Sequence, residues 1–148
     1  MRSSVFFSLF VLGLSILSPV RTNAGSLQFE VIGGRVEVSG RTWWSARLDD
    51  LAIAWAGKNA GEVTVRALEE LKRARGTEFQ ASEQGVHSID GVGSRLEVLS
   101  DSQMKAYGWC YLLERGSIRD VPELMPNQLV LPADATRLIW FYAYARSE

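Results

Sequence analysis

Beyond residue 25 the apolar positions of this chain fall into short periodic groups, and the period changes several times. The first group, LQFEVIGGRVEVSG at 27–40, alternates on both sides of Gly33-Gly34, which predicts an N-terminal β-hairpin with a two-residue turn at the glycines. That turn would set Val31 opposite Val36, Phe29 opposite Val38 and Glu30 opposite Glu37. In residues 43–56 two periods compete. Leu48, Leu51, Ala52 and Trp55 recur at helical spacing and favour a second, short helix, whereas Leu51, Ile53 and Trp55 alternate as a strand would.

GEVTVRALEELKRARG at 61–76 predicts the main helix. Thr64 is the candidate cap, Val65, Leu68 and Leu71 form an apolar stripe with Ala67 and Ala74 beside it, and Gly76 is the stop. Lys72, Arg73 and Arg75 are interleaved with acidic residues and read as a solvated face. Residues 77–100 break into short alternating pieces at Gly85, Gly91 and Gly93, the pattern of strands joined by turns. GWCYLLERG at 108–116 is a strand ended by glycine. A proline-marked connector follows, whose Val121, Leu124 and Met125 are candidates to fold back onto the core. ATRLIWFYAYA at 135–145 is apolar on both alternating faces, which predicts a central strand.

The front of the chain sets the context for these elements. Arg2 and the amino terminus precede an uncharged apolar run from Val5 to Leu17, then Pro19 and small residues around Ala24. Such a run is too short to cross a hydrocarbon layer of about 30 Å and has the layout of a secretory signal peptide, with Thr22 and Ala24 placed for cleavage. The expected organisation is therefore a leader at 1–24 and one domain at 25–148, exported to the periplasm or the medium, with no membrane span in the mature chain. The domain would carry 14 basic and 17 acidic residues, a balance that excludes a general attraction for nucleic acid. A single cysteine allows no internal disulfide, so packing must hold the domain together, and five tryptophans supply much of its apolar area.

Catalytic signals are sparse. Cys110 lies in a strand pattern, with Trp109 and Tyr111 on the other face, and no local cation or helix terminus to stabilise a thiolate. It is expected to be core. The only histidine, His87, could meet Cys110 in space as a dyad, and this is the enzymatic alternative: a small extracytoplasmic hydrolase or thiol enzyme. His87 with Glu83 and Asp90 lacks the spacing of a metal site. GVGSRL at 91–96 lacks the third glycine of a dinucleotide fingerprint. No cofactor is implied. Trp43 and Trp44 are adjacent, and in an extended stretch only one of the pair readily points inward. The other is then free to stack on a sugar or flat ring, or to anchor a protein partner.

Several short motifs occur in an order that resembles one family. They are VTVRALEEL entering the helix, Ile89-Asp90-Gly91-Val92 at a turn, a Gly-Trp-x-Tyr strand at 108–111, and a small-Asp turn before the Trp-x-Tyr strand of ADATRLIWFYAY. Over about residues 60–146 the chain resembles the transcobalamin C-terminal-like domain family, of β-grasp type, whose members occur in exported bacterial proteins mostly without assigned function. The resemblance implies an α+β fold: a β-grasp-like mixed sheet with one main helix packed on it. It also implies a binding surface built from turns, which adds Asp90 to Trp43 and Trp44. In the cobalamin carriers the related domain closes over the corrin ring together with a large helical domain, and this chain has no room for one, so cobalamin is not an expected ligand. The expected function is an exported, noncatalytic module that binds a small molecule, a glycan or an envelope protein.

Overall fold

The computed structural model describes residues 25–37, 40–51 and 54–147, with the side chains of 34–45 and 144–147 outside that description. The leader expected at 1–24, Val38 and Ile53 therefore fall outside the described residues. The fold is mixed α+β, dominated by strands, with one main helix. In chain order the elements are β1 (Gln28–Glu37), β2 (Gly40–Leu48), α1 (Ala60–Arg75), β3 (Phe79–Ser82), β4 (Gly85–Ile89), β5 (Val92–Gly93), β6 (Arg95–Ser100), β7 (Gln103–Arg115), β8 (Ile118–Asp120) and β9 (Arg137–Ser147). A 3-10 turn covers Pro126–Gln128. The larger sheet runs β2-β1-β9-β7-β6, with β8 also paired to β7, and β3-β4-β5 make a smaller sheet. β1 and β9 are parallel at the centre of the large sheet, while its other pairs are antiparallel.

The N-terminal hairpin forms in a different register from the one predicted. β1 runs straight through Gly33-Gly34, and the chain reverses after Glu37, which pairs with Gly40. Val31 consequently lies opposite Ala46, and Glu30 opposite Arg47, an opposite-charge pairing in place of the expected Glu37. Glycine is as compatible with an extended backbone as with a turn. The longer ladder, from Phe29–Leu48 to Glu37–Gly40, satisfies far more backbone groups than a turn at 33–34 would allow. The second short helix does not form among the described residues of 43–56, because residues 43–48 belong to β2. Leu51 and Trp55 are buried from a loop, which is why their spacing imitates a helix.

The main helix starts earlier than the sequence suggests. Asn59 is the cap, its Oδ1 accepting the Glu62 N–H at 2.7 Å, and Gly76 ends the helix in the left-handed region at φ 72°. With the start at Ala60, the buried positions become Ala60, Val63, Thr64, Ala67, Leu68 and Leu71, a stripe of helical period. Val65 is only half-buried and Ala74 is exposed. Thr64, the predicted cap, is instead fully buried and accepts the Trp140 indole N–H at 2.8 Å.

This stripe lies on one face of the large sheet. From that face come Phe29 and Val31 of β1, Trp109, Tyr111 and Leu113 of β7, and Leu138 and Trp140 of β9. β9 is central, as its two-sided apolar pattern requires. The small sheet closes one flank with Val86 and Ile89. Gly61 allows the β3–β4 turn to sit against the helix: a β-carbon there would collide with the Glu83 carbonyl. Val121, Leu124 and Met125 do not return to the core and are exposed. The connector is fastened through its backbone, since Tyr111 donates to the Leu124 carbonyl at 2.6 Å, and Leu131 is the residue that enters the core.

Candidate functional site

Cys110 is exposed, contrary to the expectation that it is core. The alternation along β7 is as expected, but the helix and the small sheet cover only the face bearing Trp109 and Tyr111. Cys110 lies on the opposite, outer face, beside half-buried Leu112 and cross-strand from Phe141. The Trp109 indole donates to the Val92 carbonyl at 2.8 Å, which places the small sheet on the inner side of β7. His87 is exposed on β4 of that small sheet. Sulfur and imidazole are thus on opposite sides of the large sheet and do not converge.

Of the other predicted site residues, Asp90 belongs to the β4–β5 turn of the small sheet and Trp43 and Trp44 to the large one. Asp90 has a left-handed φ of 49°, and its Oδ1 accepts the Glu78 N–H at 2.9 Å while its own N–H donates to the Glu78 carbonyl at 2.8 Å. This is an exchange of hydrogen bonds that ties the end of the small sheet. Trp43 and Trp44 lie on β2, an edge of the other sheet, paired with Gly34 and Gly33, and their rings fall outside the described side chains. No group of three or more metal-ligating side chains occurs among the described residues, and none of their helices is long and apolar enough to cross a membrane.

Two features of the outer sheet face were not read from the sequence. At one end, Arg137 lies between Glu114 at 3.6 Å and Glu30 at 3.7 Å and donates to Gln28 at 3.2 Å, while Arg119 donates to Glu114 at 2.7 and 2.9 Å. A shallow cleft of about 380 Å³ beside Ser26, Gly116 and Thr136 opens onto this cluster. Its carboxylates are already matched by arginines, so the arrangement fastens β1, β7 and β9 together. At the other end the face is apolar and open. Leu96, Val98 and Met104 are 60%, 69% and 45% exposed.

The backbone at that open end also lacks a neighbouring strand among the described residues. The Glu114 carbonyl accepts the Thr136 N–H at 2.8 Å, so Glu114 turns its backbone groups toward the β9 side. β7 pairs with β9 without interruption from Met104 to Glu114, so strict alternation directs Lys105 and Tyr107 toward β6. Their partners are Glu97 and Arg95. Leu96 and Val98, which precede the register irregularity between Val98 and Ser100, therefore direct their N–H and C=O groups away from the sheet, where no described strand lies.

On the inner face of this corner, Arg95 stacks 4.6 Å from the Tyr107 ring centre and the Tyr107 hydroxyl donates to Glu97 at 3.0 Å. Tyr142 stacks near Tyr107 and donates to the Gly93 carbonyl at 2.7 Å. Burial raises the Tyr142 hydroxyl above its ordinary value, and burial does the same to Tyr111 with Asp120 adding to it. Glu62 is held below the ordinary carboxylate value, chiefly by its hydrogen bond with Lys58 on the exposed side of α1. The tyrosine shifts belong to structural contacts, and Glu62, which lines a shallow cleft of about 360 Å³ with Arg66, Glu69 and Glu83, is already paired with Lys58 and Arg66.

Comparison with protein family models, with curated proteins and with solved structures finds no match for this chain.

Proposed function

We propose that this chain is an exported, noncatalytic interaction module that engages an extended protein segment by strand addition at the β6 edge. The observation that carries the reading is the coincidence at one corner of outward-directed Leu96 and Val98 backbone groups with their exposed apolar side chains. Main-chain hydrogen bonds supply affinity in this mode, and alternate side chains supply selectivity. Export rests on the leader-like run at Val5–Leu17, and an envelope protein is the class of partner that suits both. The separation of Cys110 from His87 favours this reading over the thiol-enzyme alternative.

A β-grasp type architecture is part of the same proposal. It is supported by the leading hairpin followed by the helix, and by the parallel β1–β9 pair flanked by antiparallel neighbours. The transcobalamin-like family membership stands on the motifs of 60–146 alone.

The test is site-specific photo-crosslinking of the full chain in cells that export it. A benzophenone amino acid replaces Leu96 or Val98 at the edge, or Arg66 on the exposed face of α1. The expected result is labelling from 96 and 98 of residues two apart in one partner segment, the spacing of an antiparallel strand, and no such pattern from 66. Labelling without that two-residue spacing, or equal labelling from 66, would overturn the reading.

A further inference from the structure

We infer that the segment received by β6 is the β6 strand of a second copy of this chain, paired antiparallel about a two-fold axis through Leu96. This deepens the strand-addition reading and rests on it. An isologous edge contact requires a strand that complements itself when reversed. β6 does so in one register. With Leu96 opposite its symmetry mate, Arg95 of each copy falls opposite Glu97 of the other, giving two opposite-charge pairs on the inner face.

The backbone agrees with this register. Leu96 and Val98 are the residues whose N–H and C=O groups point outward, so Leu96 would exchange hydrogen bonds with its mate, and Val98 with Ser94 of the second copy. Moving the axis by one residue, to Glu97, brings two carboxylates directly opposite each other, a destabilising arrangement.

The outer face gains as well. Leu96 would meet its counterpart across the axis with Val98 of each copy diagonal to it, and Met104, behind Val98 on β7, would extend the exposed apolar surface on either side. The contact is small. A strand pairing over about five residues falls short of the roughly 1,200 Å² of a standard interface, so self-association is expected with a dissociation constant on the order of 10 µM.

Charge reversal distinguishes this register from general stickiness. Protein purified after expression of the full 148-residue chain would be followed by sedimentation across about 1–200 µM, a range that brackets that affinity. Arg95→Glu makes both cross-axis pairs Glu–Glu, and Glu97→Arg makes both Arg–Arg. Each variant alone should associate at least about tenfold more weakly than the unaltered chain. Their equimolar mixture restores both opposite-charge pairs and should associate as the unaltered chain does.

A second measurement does not depend on charge. In a Cys110→Ser background, Leu96→Cys should give an interchain disulfide under mild oxidation, because a hydrogen-bonded antiparallel pair has α-carbons about 5.5 Å apart. An unaltered chain that stays monomeric at 200 µM, single variants that associate normally, or failure of the disulfide would each overturn self-pairing. Photo-labelling of a foreign segment from 96 and 98 alongside a monomeric chain would remove self-pairing alone; loss of the two-residue labelling pattern would remove strand addition as well.

Discussion

The two faces of the large sheet carry similar residues and meet different fates. On the inner face, Trp109, Tyr111, Trp140 and Tyr142 bury their rings and spend their polar tips on neighbours: Trp140 on Thr64, Trp109 on the Val92 carbonyl, Tyr111 on Leu124 and Tyr142 on Gly93. The outer face has Ile32, Leu112, Phe141 and Cys110, half-buried or exposed around buried Ile139, with no helix of the described residues laid over them. An apolar side chain stabilises a fold only when another layer removes it from water. One helix can cover one face, so the second face is held by its own strand pairing and by the arginine–carboxylate cluster at one end.

The largest expected difference between the faces comes from truncation. Trp140→Ala should lower the unfolding free energy by about 3–5 kcal/mol, since it empties the space beneath α1 and leaves the Thr64 hydroxyl without its donor. Val98→Ser on the outer face should change it by less than about 0.5 kcal/mol. Urea titration of both reads the contrast directly, and equal losses would erase it.

Gly61→Ala probes how the inner face is closed. Helix propensity alone would make alanine the better residue by about 1 kcal/mol. The new β-carbon, however, meets the Glu83 backbone, which cannot step aside as a flexible side chain would. A net destabilisation of about 1–3 kcal/mol is expected from this overpacking. A gain in stability would show that the β3–β4 turn does not rest on the helix.

The smallest effect is at alkaline pH. Burial raises the folded-state values of Tyr111 and Tyr142 above 10.0, so the fold favours their neutral forms. Their contribution is fully present below pH 10.0 and is lost as pH rises through the higher folded values. Tyr142→Phe should therefore flatten the decline of stability above pH 10, measured by urea titration at pH 8 and above. An unchanged slope would mean that the inner-face hydroxyl is as solvated as an outer-face group.

Legibility followed the range of the interactions. The helix, its Gly76 stop, the Gly116 end of β7 and the central placement of β9 were all readable, because local period and glycine geometry determine them. The hairpin register was misread at Gly33-Gly34, where two glycines suit a turn and an extended strand equally and the partner strand decided between them. Thr64 was misread as a cap because a threonine near a helix start looks alike whether it caps or lies one turn inside; Asn59, before Ala60-Gly61, was the signal that would have found the true start. Cys110 was placed in the core because alternation shows that two sets of side chains exist and is silent on which set is covered. The β6 edge left no local mark: Arg-Leu-Glu-Val reads the same in an edge strand as in an interior one.

By itself, then, the sequence determined the fold class: strands of period two around one helix of period 3.6. Those properties reside in spacings of a few residues, within reach of backbone geometry and solvation. Only the tertiary structure decided which sheet face is buried, that Cys110 and His87 are on opposite sides, and that β6 ends the sheet with Leu96 and Val98 facing outward. These depend on how many layers the chain can stack and on which strands meet, and long-range pairing is chosen by the whole domain at once.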